Sequence, residues 1–455
     1  MRYTQFTDGQ VHDMLGVIGI DAVDDLFSPI PPRCRVQGEL SIPHGVSELE
    51  LLEDADRLAS CNRDCTELVC FLGGGAYDHF IPTLVDALAA QSEFLTAYTP
   101  YQAEASQGIL QLFYEFQTMV CLLTGMEVAN ASLYEVASAA AEAVLMAVAI
   151  TGRRRVLVAE AAHPDTQRTL AAYMRQQDVD IITAPTRDGV LHERALVDLL
   201  SNETAALVVQ SPNFFGCIER LDRIIPAVHA CGALAIVSTD PIAGGVLKPP
   251  GAFDADIVVG EGQALGIPLQ YGGPFLGLLA TREKYLRKMP GRVVGMTTDL
   301  NGTRGFCLTL QTREQHIKRE RATSNICTNQ GLLAVRASIY MAAMGKMGIG
   351  EVASRCLDKA HYAAERIAQL RGYELRFPKS PFFKEFVVRT SRGVDKALAG
   401  CRERGILGGL PLARFDERYA DCFLVAVTEK RSRKEIDDLV AALNAAAERS
   451  EHEKT

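Results

Sequence analysis

The sequence predicts an α/β protein with a mainly parallel, doubly wound sheet, followed by a smaller α+β domain. Between about residues 150 and 265, short β-branched apolar runs alternate with helical segments, a pattern typical of a parallel sheet covered by helices on both faces. After about residue 330, a long helical segment leads into the strand-like runs YELRF, EFVVRT and CFLVAV and a final helix. We therefore expect an N-terminal arm (1–60), a large α/β domain (61–330) and a small α+β domain (331–455).

Five runs are predicted to be buried parallel strands: RRVLVAEAAHP, VDIITAP, TAALVVQSPN, GALAIVSTDP and ADIVVGEG. Helical segments such as RALVDLLSN and LDRIIPAVHACG lie between them. Two apolar helical segments precede the first strand and end at Gly125 and Gly152, because glycine commonly follows the last turn of a helix. In the arm, Ser47 and Glu50 have capping-box spacing, which predicts the start of a helix.

Composition and charge limit the classes of function. Of the 455 residues, 48% are apolar and 23% are charged, and the net charge of −9 is spread along the chain, so no nucleic-acid-binding surface is expected. No stretch has the roughly 18 uninterrupted apolar residues of a membrane helix, and the N-terminus lacks a signal-peptide core. The 12 cysteines are scattered and have no zinc-site spacing. We expect a protein of the reducing cytoplasm with no metal site.

The candidate functional residues come at the ends of the predicted strands. His163, Ser211, Asn213, Asp240 and the loop around Gln263 each follow one of the apolar runs. In an open parallel sheet, ligands bind in the crevice beyond the carboxyl ends of the strands. We therefore expect these residues to surround a common crevice.

The residue types at these positions match parts of a pyridoxal phosphate site. Such a site needs a carboxylate that keeps the pyridine nitrogen protonated, a flat side chain over the ring, and helix-terminal N–H groups for the phosphate. Asp240 is placed as that carboxylate would be, His163 could face the ring, and the helix that opens in NASLYEVAS could receive the phosphate. Each feature also has a simpler explanation: a turn before Pro241, a hydrogen-bonded loop histidine, and an ordinary helix N-cap.

The amine that such a site requires is missing from its expected place. Gln263 stands where a lysine would form the imine with the cofactor, and an amide has no basic nitrogen. Lys248 precedes a Pro-Pro-Gly turn and fits a solvated loop better, and Lys284 lies in a charged helix start. The residues thus predict the fold of such an enzyme without its catalytic group, with His163, Asp240 and Gln263 as vestigial cofactor-site positions.

A second group of aromatic and polar residues lies in EFLTAYTPYQAEASQG, residues 93–108. Pro100 rules out a helix interior there. Tyrosines, which have an apolar face and a hydroxyl, are common at interfaces and ligand rims. The segment is predicted to line an interface or a site, and an interdomain loop is the alternative.

Several stretches together resemble one family. They are FLGGGAYDHFIP, EFLTAYTPYQAEASQGILQ, LTGMEVANASLYE, YGGPFLG, MPGRVVG and LTLQTREQHIKRERATSNICTNQ, between about residues 70 and 330. On these motifs the chain resembles the alpha subunit (subunit 1) of two-subunit glycine dehydrogenase (decarboxylating), the P-protein of the glycine cleavage system. The resemblance extends over essentially the whole chain.

The resemblance implies an aminotransferase-like fold, that of pyridoxal-phosphate-dependent enzymes of fold type I. It also implies that a beta partner carries the cofactor on its own lysine, so the missing amine at Gln263 marks the alpha subunit. The implied assembly is a heterotetramer of two alpha and two beta chains. It decarboxylates glycine and passes the aminomethyl group to the lipoyl arm of H-protein.

In that assembly this chain is expected to supply structure, channel wall and docking contacts, and to be inactive alone. The substrate-channel or interface candidates are Tyr98, Thr99, Pro100, Tyr101, Gln102, Glu104, Ser106, Gln107, Asn130, Ala131 and Ser132. The chain departs from the family pattern at Glu135-Val136, where an Asp-Gly pair is usual, at an extra Gly74 and at Arg321. The departure at Glu135-Val136 argues against a phosphate-binding role for the turn that follows NASLY.

Two other hypotheses stay open at this stage. The chain could be a self-sufficient pyridoxal phosphate enzyme that uses Lys248. It could also be a non-catalytic binding or regulatory protein on a degenerate aminotransferase scaffold. Two measurements distinguish the three hypotheses. One is the visible absorption of an imine bound to the chain, and the other is glycine decarboxylation with and without a lysine-bearing partner.

Overall fold

The protein was analysed as a computed structural model, which describes residues 5–38, 40–95 and 99–452, with side chains described as far as residue 445. These residues belong to two compact units, 1–63 and 64–455. The first unit contains helices α1 (Asp8–Ile18) and α2 (Glu48–Ala59). Ser47 caps α2 through the predicted capping box, in which its backbone N–H donates to the Glu50 carboxylate at 2.8 Å. None of the described residues of this unit is buried.

The helices of the second unit are α3 (Thr83–Ala89), α4 (Ser92–Leu95), α5 (Gln107–Thr124), α6 (Val136–Thr151), α7 (Pro164–Met174), α8 (Glu193–Leu199), α9 (Leu221–Ala230), α10 (Gln315–Lys318), α11 (Gly331–Ala368), α12 (Val394–Arg402) and α13 (Arg433–His452). Its strands are β1 (Val69–Cys70), β2 (Val128–Ala129), β3 (Arg155–Ala159), β4 (Asp180–Ala184), β5 (Thr186–Arg187), β6 (Val190–Leu191), β7 (Thr204–Gln210), β8 (Leu234–Thr239), β9 (Ile257–Glu261), β10 (Gly277–Thr281), β11 (Val293–Thr298), β12 (Arg304–Thr309), β13 (Tyr373–Leu375), β14 (Glu385–Thr390), β15 (Ile406–Leu407), β16 (Leu410–Pro411) and β17 (Cys422–Ala426).

The central sheet has seven strands in the order β2-β10-β9-β8-β7-β3-β4. Strands β9, β8, β7, β3 and β4 are parallel to one another, whereas β10 is antiparallel to both β9 and β2. The five parallel strands are the five runs predicted from the sequence. The prediction of an α/β protein with a mainly parallel sheet is therefore confirmed.

Alternating residues of the parallel strands face two different helix layers. In β7, Leu207 and Val209 lie in the core that includes residues of α5, α9 and α11, whereas Ala206 and Val208 lie in the core that includes residues of α6 and α7. All four side chains are fully buried. Because successive residues of a strand point to opposite faces, a strand buried on both faces must be apolar throughout, which explains why these runs lack polar alternation.

The C-terminal part is an α+β layer, as predicted. Its antiparallel sheet has the order β13-β14-β17-β16, and α12, α13 and the last part of α11 share its hydrophobic core. Strand β1 pairs with β15 of this part, and Phe71 lies in the same core. The division of the second unit at residue 330 stays a proposal.

Helix α11 enters both cores and is broken at Gly345, whose φ of 58° lies in the left-handed region. By length and composition it is the one helix of the described part that could cross a membrane, but 44% of its most apolar window is buried inside the protein. Tyr340, a fully buried residue of α11, lies in the core beneath the central sheet. Such burial is typical of a core helix.

Candidate functional site

The carboxyl ends of β3, β7, β8 and β9 border one crevice, as expected for an open parallel sheet. The crevice has a volume of about 580 Å³, including its opening to solvent. Its lining combines strand ends with residues from the start of the second unit, from the N-terminus of α6 and from the start of β14. The lining residues are Gly75, Tyr77, Val136, His163, Gln210, Pro212, Gly216, Ser238, Thr239, Asp240, Glu261, Ala264, Phe383, Lys384 and Glu385.

Asp240 forms an ion pair with a lysine that the sequence prediction did not identify. The Nζ atom of Lys384 lies 2.6 Å from Oδ2 of Asp240, and the exposed side-chain fractions are 2% and 12%. The same ammonium lies 3.5 Å from the centre of the Tyr77 ring. The other carboxylate oxygen of Asp240 accepts a hydrogen bond from the N–H of Ile242 at 2.9 Å. Asp240 therefore both organises the turn after β8 and binds a cation.

The ion pair continues into a buried chain of hydrogen bonds. Lys384 Nζ lies 3.0 Å from Nε2 of His79, and His79 Nδ1 lies 2.6 Å from the Glu429 carboxylate. Since the ammonium can only donate, Nε2 accepts and Nδ1–H donates to Glu429. Burial, with a smaller contribution from Lys384, lowers the pKa of His79. For Glu429, burial acts to raise the pKa, but bonds from His79 and Phe80 hold it at about 2.

His79, Glu429 and Cys356 also form the one cluster of metal-ligand side chains found among the described residues. The Cys356 thiol lies 3.4 Å from the Glu429 carboxylate. His79 and Glu429 are already in direct contact through the 2.6 Å bond. The sequence did not predict this cluster, because its members are far apart in the chain.

Gln263 is 2% exposed, and its amide groups are bonded to backbone. Its Oε1 accepts from the N–H of Tyr77 at 2.9 Å, and its Nε2 donates to the carbonyls of Tyr77 and Ile267 at 3.0 and 2.8 Å. A glutamine amide can both accept and donate, which lets it bridge the loop after β9 to the loop at residue 77. Gln263 therefore fixes one wall of the crevice.

His163 lies in the crevice and is also hydrogen-bonded at both ring nitrogens. Its Nδ1 accepts from the N–H of Asp165, so it caps α7, and its Nε2–H donates to the Gly74 carbonyl at 2.7 Å. Gly74 has a φ of 79° and also donates its N–H to Glu385 at 2.7 Å. Burial raises the pKa of Glu385 to about 7, although bonds from Gly74 and Tyr77 oppose the shift.

The N-terminus of α6, which the sequence offered as a phosphate site, is occupied by carboxyl groups. The N–H of Val136 donates to Oε2 of Glu261 at 3.1 Å, and the N–H of Ser138 donates to Glu135 at 2.6 Å. Glu261 also accepts from the N–H groups of Gln263 and Leu276 at 3.1 and 2.8 Å. Burial raises the pKa of Glu261 to about 8, against the effect of these bonds.

The remaining strand-end candidates have structural contacts. The Ser211 hydroxyl and the Asn213 side chain both bond to Glu219, a buried residue. Lys248 lies over the ring of Phe253 at 4.4 Å and lines a different cavity, of about 740 Å³, on which Asp240 and Glu219 also border. His163 and Asp240 thus line the crevice, Gln263 bonds to Tyr77 of its wall, and Lys248 lies outside it.

The second predicted group forms a separate cluster around Arg292, which is 5% exposed. Its guanidinium donates to the Tyr101 hydroxyl at 3.2 Å and to the Asn329 amide oxygen at 2.9 Å. The Asn329 amide nitrogen donates to Ala131 and to the Ser132 hydroxyl at 2.8 and 3.1 Å. Arg292 and Asn329, which the sequence analysis missed, therefore join the 99–107 segment to the 130–132 turn.

Within this Arg292 cluster, Ser132 has a φ of 107°, a conformation that is strained for a residue other than glycine. Asn130 stabilises the turn, because its amide accepts from the N–H of Ser132 and donates to the Pro290 carbonyl. Thr99 and Pro100 line a cavity with Asn329. The Gln107 side chain bonds to both backbone groups of Phe306.

The other members of the 99–107 segment have less contact. Gln102 and Glu104 are exposed, and Ser106 precedes the first residue of α5. Tyr98 lies outside the described residues. Of the predicted candidates, His163 and Asp240 line the crevice, and Tyr101, Ala131 and Ser132 contact the Arg292 cluster directly.

Comparisons with known proteins agree over the full length of the chain. A family model described as "Glycine cleavage system P-protein" matches residues 1–443. A protein of Desulforamulus reducens named "Probable glycine dehydrogenase (decarboxylating) subunit 1" is 48% identical over 445 residues, which cover 98% of this chain and all of that protein. One of the same name from Prosthecochloris aestuarii is 49% identical over 446 residues, with 98% and 100% covered.

The solved structures give the same result for the fold. A crystal structure of glycine decarboxylase (P-protein) in inhibitor-bound form matches with a TM-score of 0.90 and 41% identity, covering 98% of this chain and 100% of that one. Sphingosine-1-phosphate lyase of Burkholderia pseudomallei matches at 15% identity and a TM-score of 0.66, over 92% and 94% of the two chains. This match shows the fold alone, and it confirms the predicted aminotransferase-like fold of type I. The chain belongs to the family of glycine cleavage system P-proteins.

Proposed function

We propose that this chain is the subunit of a two-subunit glycine dehydrogenase (decarboxylating) that does not itself carry pyridoxal phosphate. The relatives named subunit 1 are matched along their whole length, and a protein with a first subunit requires a second. The cofactor then belongs to the partner, the beta subunit. With it the chain acts on glycine and delivers the aminomethyl group to the lipoyl arm of H-protein.

The observation that carries this proposal is the Lys384–Asp240 ion pair. In this chain's own crevice the one carboxylate suited to a pyridinium is already paired at 2.6 Å. The loop position that would supply an imine-forming amine holds Gln263, whose amide is bonded to backbone on both sides. The residues of the crevice therefore do not fit pyridoxal phosphate, and no catalytic step is assigned to them.

We propose that the Arg292 cluster is this chain's contribution to the shared active site. Pyridoxal phosphate, when bound by the partner, supplies the electron sink for decarboxylation. The Arg292 guanidinium holds the Tyr101 hydroxyl, and Tyr101 is 50% exposed while Arg292 is buried. A half-exposed aromatic ring fixed by a buried cation is a rigid element of the kind that forms a channel wall or an interface. Strain at Ser132 in the same cluster supports a functional role.

The proposed assembly contains two copies of each subunit and works in the cytoplasm. Its test is co-expression of the chain with the partner, followed by sizing and by an assay of glycine–bicarbonate exchange. The complex is expected to exchange bicarbonate and this chain alone is expected to be inactive. Tight association without any exchange would favour a non-catalytic binding or regulatory protein. Exchange by the chain alone would favour a self-sufficient enzyme that uses Lys248 or Lys384.

A further inference from the structure

We infer that Lys384 and Glu261 close this chain's crevice to pyridoxal phosphate, because they occupy the groups that would bind its pyridinium and its phosphate. The inference deepens the proposed function by giving a physical reason why this subunit carries no cofactor. It concerns the chain alone, so it is testable without the partner and without turnover.

The first group that stands in place of the cofactor is the Lys384 ammonium, at the carboxylate that would bind the pyridinium. A protonated pyridine bound in this fold pairs with the carboxylate at the end of the strand, and that carboxylate here is Asp240. Lys384 places its ammonium there, at 2.6 Å from Oδ2 of Asp240. Its ammonium also faces Tyr77 and donates to His79, so each strong contact of the charge is with a fixed group. A pyridinium would have to displace a buried ammonium or lie beside a like charge.

The second such group is the Glu261 carboxyl, at the N-terminus of α6, where the phosphate would bind. The N–H groups of a first helical turn are a natural phosphate site. In α6 the N–H groups of Val136 and Ser138 donate to the carboxyl groups of Glu261 and Glu135. Glu261 is further fixed by the N–H groups of Gln263 and Leu276, so it is not free to turn away. A phosphate would find these N–H groups already bonded to carboxyl groups of the chain.

Both groups, Lys384 and Glu261, lie at one cavity. Val136, Asp240, Glu261 and Lys384 all line it. Lys384 belongs to the C-terminal layer, where it precedes β14, whereas Glu261 is the last residue of β9 in the central sheet. Asp240 and the Val136 N–H thus both have partners within the chain.

The experiment uses 4-deoxypyridoxine 5′-phosphate, which has the ring and the phosphate but no aldehyde, so it cannot react with lysines. Its binding to the purified full chain at neutral pH is measured by titration calorimetry. The wild-type chain is expected to bind with a Kd no tighter than about 1 mM. The double variant Lys384→Met/Glu261→Ala frees Asp240 and the Val136 N–H of α6, and we expect binding to become at least about tenfold tighter.

The two positions are separable with a probe that lacks the phosphate. Lys384→Met alone should tighten the binding of 4-deoxypyridoxine, whereas the added Glu261→Ala change should favour only the phosphorylated probe. The matched control is Lys248→Met/Glu219→Ala, which removes a lysine and a buried glutamate that line the other cavity. This control should bind both probes as the wild type does.

Three results would overturn the inference. The first is wild-type binding of the phosphorylated probe with a Kd below about 100 μM. The second is a folded double variant that binds no more tightly than the control. If Lys384→Met does not fold, Glu261→Ala alone tests the phosphate position, because it leaves the Lys384–Asp240 pair intact. A folded Glu261→Ala variant that binds the phosphorylated probe no more tightly than the wild type is the third. A complex without glycine–bicarbonate exchange would contradict the proposed function. It would not change the binding results, which are measured on this chain alone.

Discussion

Replacing Lys384 with methionine should be strongly destabilising, and replacing Asp240 as well should restore most of the loss. The pair is 2.6 Å apart, and the two side chains are 2% and 12% exposed. At an effective dielectric constant of about 20, the attraction at this distance is about 6 kcal/mol, from which the cost of desolvation must be subtracted. Removal of one member of such a pair leaves an uncompensated buried charge, for which we expect a loss of about 3–5 kcal/mol.

The variant Lys384→Met/Asp240→Asn leaves no charge unpaired, so it should lie within about 1–2 kcal/mol of the wild type. A surface pair at the same distance serves as the control. Lys434 and Asp438 are also 2.6 Å apart, with exposed fractions of 84% and 49%, and Lys434→Met should leave the free energy of unfolding essentially unchanged.

Urea unfolding followed by far-ultraviolet circular dichroism measures the free energies of unfolding of the wild type, of Lys384→Met and Asp240→Asn singly, of the double variant and of Lys434→Met. Circular dichroism is the suitable probe because the chain contains no tryptophan. The reasoning is refuted if Lys384→Met costs less than about 1 kcal/mol, or if the losses of the two single variants simply add in the double variant.

Three further predictions follow from the structure. Burial raises the pKa of Glu261 to about 8 from a usual 4.5, so between these pH values the folded chain holds a proton that the unfolded chain releases. The stability of the fold should therefore decrease as the pH rises from about 5 to 8. Glu261→Gln should flatten that part of a plot of melting temperature against pH. In the reconstituted complex, Tyr101→Phe should slow glycine–bicarbonate exchange about 2- to 10-fold because the bond from the buried guanidinium is lost, whereas Tyr271→Phe, at a residue 82% exposed, should not. Gly216→Ala should prevent folding, because the new Cβ would lie 1.9 Å from a backbone oxygen of β14. At Gly152 a Cβ would have no atom within 4 Å, so Gly152→Ala should cost only about 1 kcal/mol of stability. Soluble yield and melting temperature of the two variants test this difference.

Local sequence patterns were enough to predict the central sheet. A strand buried on both faces is apolar at every position, and the five parallel strands could therefore be recognised one by one. The crevice was predicted for a related reason, since residues that follow parallel strands share one edge. His163, Asp240 and Gln263 lie together as that rule requires.

Lys384 could not be predicted in the same way, because its partner is remote in the chain. Its local signal is the sequence PFFKEFVV, in which a charged pair interrupts an apolar run at a strand start. That pattern indicates that Lys384 and Glu385 are buried, but it does not say which groups they meet. The same holds for Arg292, whose contacts with Tyr101 and Asn329 depend on how three separate segments pack.

The phosphate prediction shows how local chemistry can be misread. The start of α6 has the free N–H groups of any helix terminus, and the sequence left open whether a phosphate or a cap satisfies them. Glu135 caps the helix and Glu261 reaches Val136 from β9. Side chains of the chain itself thus satisfy the N–H groups at the start of α6.

The central claim, that this chain carries no cofactor and its partner does, is tested most directly by borohydride reduction of the active complex followed by peptide mass spectrometry. The account predicts the reduced pyridoxyl group on a lysine of the partner and an unmodified Lys384 and Lys248 in this chain. A stoichiometric pyridoxyl group on either lysine, formed in step with activity, would contradict it.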